Sequence, residues 1–318
     1  MVRKDLLTLA GIDIGTNTLR LLIVRFSPDG RYHKIESGRH ITRLGEDISR
    51  TGRLKPEPME RTVRVLEGFS EICSKYPLDG TYAVATSAVR EASNGADFIR
   101  MVKTRTGLDV DIISGDEEAR LTLLGVASGL DIEDKDIFLM DIGGGSTEFI
   151  AASCGKILFK VSTDIGVVRF TEQYILSDPP EKRELALLEP AIEARLKELP
   201  SFGDVDSQRF PKEMFIGTAG TVTTLAAIEQ KMAVYDPGKI NGYHISKDRI
   251  GEIRRTLSDM TIKERKDLPG IENGREDIII TGAVVVDKVM EWFRFPEIVV
   301  SDSGLREGLV IDLYNRLS

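Results

Sequence analysis

Apolar and polar positions alternate along the chain with two periods, one typical of strands and one typical of helices. Residues 8–14 and 19–26 form two apolar runs joined by a short polar loop, which predicts a β-hairpin. Residues 56–75 place apolar side chains every three or four positions, as an amphipathic helix does. An apolar strand at 81–86 then leads into a helix that we predict through about residue 106. Strands alternating with helices favour an α/β protein.

The second half of the chain continues this alternation. Residues 139–150 predict another hairpin, and residues 127–136 before it predict an acid-rich linker. Residues 236–247 predict an irregular loop, and the end of the chain, after residue 308, predicts an amphipathic helix. Further predicted elements are strands at 156–163 and 298–301, helices at 167–176, 184–199, 250–257 and 278–293, and a strand, glycine loop and helix at 215–228.

The hairpin at 139–150 carries a dense set of candidate ligand-binding residues. They are Asp141, Gly143, Gly144, Gly145, Ser146, Thr147 and Glu148. Adjacent glycines let the backbone bring successive N–H groups close to an anion. A carboxylate just before the turn can hold a divalent cation that the anion also binds. The pattern predicts a phosphate–Mg²⁺ site, although a plain glycine-rich hairpin explains this single loop equally well.

A second copy of the pattern favours the functional interpretation. Asp-Ile-Gly occurs at 13–15 and again at 141–143, each time between apolar strands. The candidate residues of the first copy are Asp13, Gly15, Thr16, Asn17 and Thr18. The separation between residues 13 and 141 is longer than the repeat period of solenoid proteins. It predicts two related domains that face each other, each supplying one phosphate loop to a cleft.

Two other segments carry charged residues with two possible explanations. Asp116, Glu117 and Glu118 begin a predicted helix, where acids stabilise the N-terminus, but one of them could instead project inward as a general base. Arg90 follows a strand end and could contact an anion or could simply be exposed. Arg43, in a polar loop, has the same two explanations. The residues alone favour the structural explanation in all three cases.

Composition narrows the class of protein. The chain has 318 residues, 41% hydrophobic and 30% charged, which suits a soluble protein with a sizeable core. Its formal net charge of −8 argues against broad nucleic-acid or membrane binding. Two cysteines, three histidines and the lack of a signal-peptide pattern or a long apolar run argue for a cytoplasmic protein without a disulfide framework or a histidine-rich metal centre.

Taken in order, the motifs resemble those of the exopolyphosphatase/guanosine pentaphosphate phosphatase family, a branch of the actin-like ATPase-domain superfamily. The resemblance covers essentially the whole chain. The motifs that carry it lie at residues 12–18, 43–46, 85–92, 113–121, 141–148, 217–221 and 303–308. One glycine loop would be a weak signal, but seven motifs in the same order are a specific one.

The resemblance implies an α/β protein made of two ribonuclease-H-like domains with a cleft between them. We place the first domain at 1–126 and the second at 127–318, and the terminal helix could pack back on the first domain. Longer members of the family add a helical domain, so a chain that stops at residue 318 is expected to be the short, two-domain form. The family also implies a homodimer.

The resemblance also implies roles for individual residues. Glu118, the second acid of its pair, matches the catalytic base, with Glu117 as the alternative. Arg90 matches an arginine in the active cleft. Asp141 and Glu148 match acids near an Mg²⁺ or Mn²⁺ ion, and Asp13 takes the same place in the first copy. The residues that match phosphate-binding positions are Gly15, Thr16, Asn17, Thr18, Gly143, Gly144, Gly145, Ser146 and Thr147.

These roles imply attack of water on a terminal phosphoryl group, with catalysis by positioning and charge neutralisation. The expected substrate is inorganic polyphosphate, and guanosine pentaphosphate is the alternative. Less favoured are a kinase of the same superfamily, which would need an acceptor pocket, and a non-catalytic sensor of a phosphorylated nucleotide. The pair of glutamates favours hydrolysis over both.

Overall fold

The computed structural model describes residues 6–199 and 213–318, and within these ranges the chain forms two compact units. The first unit contains the chain up to Ser128 together with Gly304–Ser318, and the second contains Gly129–Ser303. The extreme N-terminus, for which no signal sequence is predicted, lies outside the described residues. The C-terminal helix therefore belongs to the same unit as the first hairpin.

A five-stranded mixed sheet forms the centre of the first unit, in the order β3-β2-β1-β4-β5. Its strands are β1 (Leu7–Ile14), β2 (Thr18–Phe26), β3 (Tyr32–Ile41), β4 (Gly80–Ala85) and β5 (Val110–Ile112). Its helices are α1 (Ile48–Thr51), α2 (Pro56–Cys73), α3 (Ser87–Glu91), α4 (Gly95–Thr106), α5 (Gly115–Gly129) and the terminal α13 (Leu305–Leu317). The first three strands are antiparallel, and β4 and β5 continue the sheet in parallel with β1.

A six-stranded sheet organises the second unit, in the order β10-β11-β9-β6-β7-β8. Its strands are β6 (Asp136–Ile142), β7 (Thr147–Ser153), β8 (Lys156–Thr163), β9 (Met214–Thr218), β10 (His244–Ser246) and β11 (Glu297–Val300). Its helices are α6 (Val167–Tyr174), α7 (Lys182–Lys197), α8 (Ala219–Glu229), α9 (Pro237–Ile240), α10 (Lys247–Asp259), α11 (Ile262–Lys266) and α12 (Ile279–Phe293).

Apart from β10 at one edge, the two sheets have the same strand order. Three antiparallel strands come first, and two strands parallel to the first one follow on its other side. This is the ribonuclease-H-like arrangement, and it confirms the predicted α/β class and the relationship between the two halves. Each Asp-Ile-Gly segment lies at the same place, where the first strand ends.

The core of the first unit lies on both faces of its sheet. On one face Ile12 and Leu21 pack with Leu66 and Phe69 of α2. On the other face α13 supplies apolar side chains to two clusters. Helices on both faces explain why β1 is an almost continuous apolar run rather than an alternating one.

The core of the second unit centres on α12. Every residue from Ile279 to Met290 is buried, including the charged pair Asp287 and Lys288. A helix that is apolar on all sides is expected to be an interior helix. No helix within residues 6–199 and 213–318 combines the length and the apolar character needed to cross a membrane.

Several element boundaries differ from the sequence predictions. The helix expected through residue 106 is broken into α3 and α4, because Ser93 N donates to Gly52 O at 3.0 Å and the Asn94 amide bonds the backbone of Leu54. The irregular loop predicted at 236–247 contains α9 and β10. The motif at 303–308 does not precede the terminal helix but forms its first turn.

Candidate functional site

The loop of the second hairpin is closed tightly by its own backbone. Gly143 N donates to Ser146 O at 2.9 Å, and a methyl group on Gly143 would lie only 3.0 Å from that oxygen. The carbonyls of Gly143 and Gly144 accept hydrogen bonds from Val167 N and Val168 N at the start of α6. In the described part of the chain, the N–H groups of Gly144 and Gly145 donate to no protein acceptor. The carbonyls of Gly143, Gly144 and Ser146 are thus hydrogen-bonded while two backbone donors are available, as an anion site requires.

Two acidic residues flank this loop on adjacent strands. Asp141 on β6 lies directly opposite Glu148 on β7, so both side chains are on one face of the sheet. Both residues are buried, and Ser162 Oγ donates to Glu148 Oε1 at 2.7 Å. Like charges in this register are destabilising unless a cation or a proton compensates. Carboxylate oxygens of this kind suit Mg²⁺ or Mn²⁺, which commonly use one or two carboxylates together with substrate phosphates.

The first hairpin closes in the same way. Gly15 N donates to Thr18 O at 3.1 Å, and the carbonyls of Thr16 and Asn17 accept from the segment 42–45. Within the described residues, the N–H groups of Thr16 and Asn17 donate to no protein acceptor. The side-chain amide of Asn17 is buried, and neither of its polar atoms has a partner among those residues. Because buried amides are normally hydrogen-bonded, water or a ligand is the expected partner.

In the first hairpin, an aspartate and an arginine occupy the two positions that correspond to Asp141 and Glu148. Asp13 lies opposite Arg20, and Arg20 NH1 donates to Asp13 Oδ2 at 3.3 Å. The side chain of Arg20 thus lies beside Asp13. The Asp13 carboxylate therefore already has a cationic partner within its own hairpin.

The acids of α5 have different environments. Glu118 is buried, and its Oε2 accepts from Arg90 NH1 at 3.1 Å, while the same Arg90 nitrogen donates to Ile113 O at 2.8 Å. Glu117 lies farther out and is bonded twice by Arg120, at 2.7 and 2.8 Å. The structure thus joins the two residues predicted to be catalytic, Glu118 and Arg90, and gives Glu117 a separate partner.

One buried cation went unrecognised as a candidate in the sequence. Arg275 is buried, and its guanidinium lies against Gly220 at the N-terminus of α8. A methyl group on Gly220 would come within 2.0 Å of Arg275 NH2. Gly220 in the 217–221 motif was the only sequence signal of this contact, because the two residues are far apart in the chain.

The predicted metal ligands do not form one cluster in the described ranges. Among residues 6–199 and 213–318, no group of three or more histidine, cysteine, aspartate or glutamate side chains is arranged to hold a metal ion. Asp141 and Glu148 are paired by strand register, whereas Asp13 belongs to the other unit and to a different ion pair. The acidic pair of the second hairpin has the donor chemistry that fits a divalent cation best.

Comparison with known proteins relates almost the whole chain to one family. The profile of the Ppx/GppA phosphatase family matches residues 23–317. A bifunctional 3-dehydroquinate synthase/phosphatase of Fusobacterium nucleatum is 35% identical over 95% of this chain, and the chain spans 46% of that relative's length. Exopolyphosphatase 2 of Mycobacterium tuberculosis is 32% identical over 96% of this chain and 98% of its own.

A solved structure of the same family also has the same fold as this chain. The crystal structure of the Aquifex aeolicus member of the Ppx/GppA family is 32% identical and covers 99% of each chain, with a TM-score of 0.82. The similarity therefore extends across both units of the chain and not only across the glycine loops.

Proposed function

Because the chain belongs to the Ppx/GppA phosphatase family, we propose that it is an exopolyphosphatase that hydrolyses the terminal phosphate of inorganic polyphosphate. The observation that carries the proposal is the pair of matching loops, each with backbone N–H groups that no described protein group accepts. A relative that aligns over nearly its whole length is itself named an exopolyphosphatase.

Phosphate binding is assigned to the two loops. In the second hairpin Gly143, Gly144, Gly145 and Ser146 supply the turn and its donors, with Thr147 at the start of β7. In the first hairpin the equivalent residues are Gly15, Thr16, Asn17 and Thr18, and the Asn17 amide adds a donor that is buried and without a described partner. Fixed donors of this kind stabilise charge that develops on phosphoryl oxygens.

The metal is assigned to the second hairpin. Asp141 and Glu148 would hold Mg²⁺ or Mn²⁺, and their register places both carboxylates on one face of the sheet. A bound divalent cation neutralises charge on the phosphate oxygens. Asp13 is a weaker candidate ligand, because Arg20 already compensates its charge.

Proton transfer is assigned to Glu118. Its carboxylate is buried and held at the start of α5 by Arg90, so its orientation is restricted. Glu118 orients the attacking water and takes its proton, a role worth roughly 10²–10⁴-fold in rate. Arg90 holds this carboxylate in place, and it is also a candidate phosphate contact.

The test measures phosphate release from long-chain polyphosphate, short-chain polyphosphate and guanosine pentaphosphate, with Mg²⁺ and with a chelator. We expect release from polyphosphate that the chelator abolishes. Glu118→Gln keeps the size and hydrogen bonding of the side chain but removes the base, and it should lower kcat by roughly 10²–10⁴-fold. Glu117→Gln is the matched control on the neighbouring residue and should stay within about threefold of the wild type.

Each outcome has a defined meaning. Faster phosphate release from guanosine pentaphosphate would make that nucleotide the preferred substrate and would leave the proposed hydrolysis by water unchanged. Equal losses in Glu117→Gln and Glu118→Gln would contradict the assignment of the base. A folded, metal-loaded protein that releases phosphate from none of the three substrates would refute the hydrolase itself.

A further inference from the structure

The motif at 303–308, which has no role in the chemistry above, forms a backbone-to-backbone contact between α13 and α5. A methyl group on Gly125 of α5 would lie 1.8 Å from Gly304 O, and one on Gly308 of α13 would lie 1.9 Å from Leu121 O. No side chain fits between helices at these distances. The two glycines are therefore needed for the helices to approach this closely.

The contact continues along α5 towards its N-terminus. Gly125 meets Gly304, Leu121 meets Gly308, and Arg120 NH2 bonds Asp312 Oδ1 at 2.7 Å. Along this contact the residue numbers decrease on α5 while they increase on α13. The two helices therefore run antiparallel over these turns. The pKa of the Arg120 guanidinium is raised, mainly by its hydrogen bonds to Glu117 and further by Asp312, so its positive charge is retained.

Glu118 lies on the same face of α5 as Gly125, the residue that meets Gly304. Residues 118, 122 and 125 share one helical face because they are four and three positions apart. Thr122 is fully buried on that face. Since Glu118 is one turn before Leu121, a shift of α5 against α13 at Gly308 moves the Glu118 carboxylate with it.

The opposite side of α13 rests on the strand that carries the first loop. A methyl group on Gly11 of β1 would lie 3.0 Å from Val310 Cγ1 and 3.2 Å from Arg306 O. Asp13 follows two residues later on the same strand. One helix therefore contacts both the helix that bears Glu118 and the strand that leads into the 15–18 loop.

From this geometry we propose that α13 is the positioning element of the catalytic base, with Gly308 and Asp312 as its positioning residues. The proposal rests on the proposed function, because it concerns how Glu118 is held for proton transfer. Neither Gly308 nor Asp312 contacts the reacting groups. They act through the placement of α5.

The decisive variant is Gly308→Ala, whose added methyl group must push Leu121 O away from α13. We expect kcat for phosphate release to fall by about 10²-fold, the loss expected for an ångström-scale misplacement of a catalytic group. KM should stay within about threefold, because the added methyl group meets Leu121 of α5 and not the strand that leads into the 15–18 loop. Asn315→Ala, an exposed residue on the same helix, is the control and should keep wild-type kcat.

A gentler pair of variants keeps the test valid if Gly308→Ala does not fold. Asp312→Asn and Arg120→Gln each remove one partner of the ion pair and should lower kcat by about two- to fivefold, as expected for a partly exposed pair. If both act through the same contact, the double variant loses no more than either single variant. Fully additive losses, or losses in KM alone, would overturn the proposal.

Hydrogen exchange separates failure of this proposal from failure of the proposed function. The amides of residues 119–125 should exchange faster in Gly308→Ala than in the wild type and Asn315→Ala. If the wild type releases no phosphate, the function is wrong and the positioning of α5 is still decided by this comparison. A folded Gly308→Ala with wild-type kcat or unchanged exchange on α5 would refute the role of α13.

Discussion

The two β-hairpins have nearly the same backbone but differ in the charge of the residue that faces the aspartate before the loop. Each strand pair leads into a loop closed by one N–H···O bond, at 3.1 Å in the first and 2.9 Å in the second. At the same register position, Asp13 faces Arg20 in the first hairpin, whereas Asp141 faces Glu148 in the second. The two copies thus share the closure of the loop and differ in the residue opposite the aspartate.

Because of this difference, the two hairpins can have different roles although their sequences repeat. An aspartate that faces an arginine forms an ion pair within its own hairpin, whereas two facing carboxylates offer the oxygen donors that a divalent cation prefers. Under the proposed function, the first hairpin would therefore bind phosphate without a metal, and the second would bind phosphate together with one.

Among variants of the two hairpins, the largest effect is expected from Glu148→Gln. Because it removes a proposed metal ligand, the Mg²⁺ concentration for half-maximal phosphate release should rise by at least the roughly 10–100-fold seen for outer-shell changes. The measurement is a Mg²⁺ titration of activity. Asp13→Asn, on the other hairpin, is the comparison and should shift the midpoint much less. Equal shifts in the two variants would contradict the assignment of the metal to the second hairpin.

An intermediate effect is expected from Arg20→Gln, which leaves Asp13 without its cation. The Arg20 side chain is 21% exposed and that of Asp13 is 5% exposed, so the pair lies between a surface and a buried one. The free energy of unfolding should fall by about 1–2 kcal/mol in urea denaturation. Adding Asp13→Asn should restore part of the loss, because no uncompensated charge remains. Unchanged stability in Arg20→Gln would show that the ion pair does not matter.

The smallest effect is expected from Asp141→Asn in the presence of a chelator. Removing one of two facing carboxylates relieves repulsion and should raise the free energy of unfolding by about 0.2–1 kcal/mol, although activity falls. Added Mg²⁺ should then stabilise the wild type more than the variant. Glu133→Gln, an exposed acid before β6, is the control for the general loss of negative charge. A variant less stable than the wild type without metal would argue against repulsion between the two carboxylates.

Much of the fold was readable from local pattern. The hairpins, the amphipathic helix α2 and the interior helix α12 lie within a few residues of their predicted positions, because each depends on a periodicity contained in its own segment. The break between α3 and α4 was not predicted, since it depends on hydrogen bonds from residues 93 and 94 to residues 52 and 54. A local pattern carries no information about such a partner.

Some features of the candidate site could likewise be predicted from neighbouring residues in the chain, and others depend on folding. Both loops follow from glycines and neighbouring polar residues that are adjacent in the chain. The pairing of Asp13 with Arg20 was also readable, since both follow from the hairpin register, but it was not drawn from the sequence. Arg275 against Gly220 was not readable, because only folding brings these residues together.

The sequence by itself determined the repeat, the two glycine loops, the α/β class and the family, because these depend on residues that are neighbours in the chain or recur in a fixed order. Only the tertiary structure decided which acid of α5 lies beside Arg90 and which helix supports α5. The Arg90–Glu118 pair joins residues 28 positions apart, and the Arg120–Asp312 pair joins residues 192 positions apart. Contacts over such separations exist only once packing of the sheet and its helices has brought the elements together.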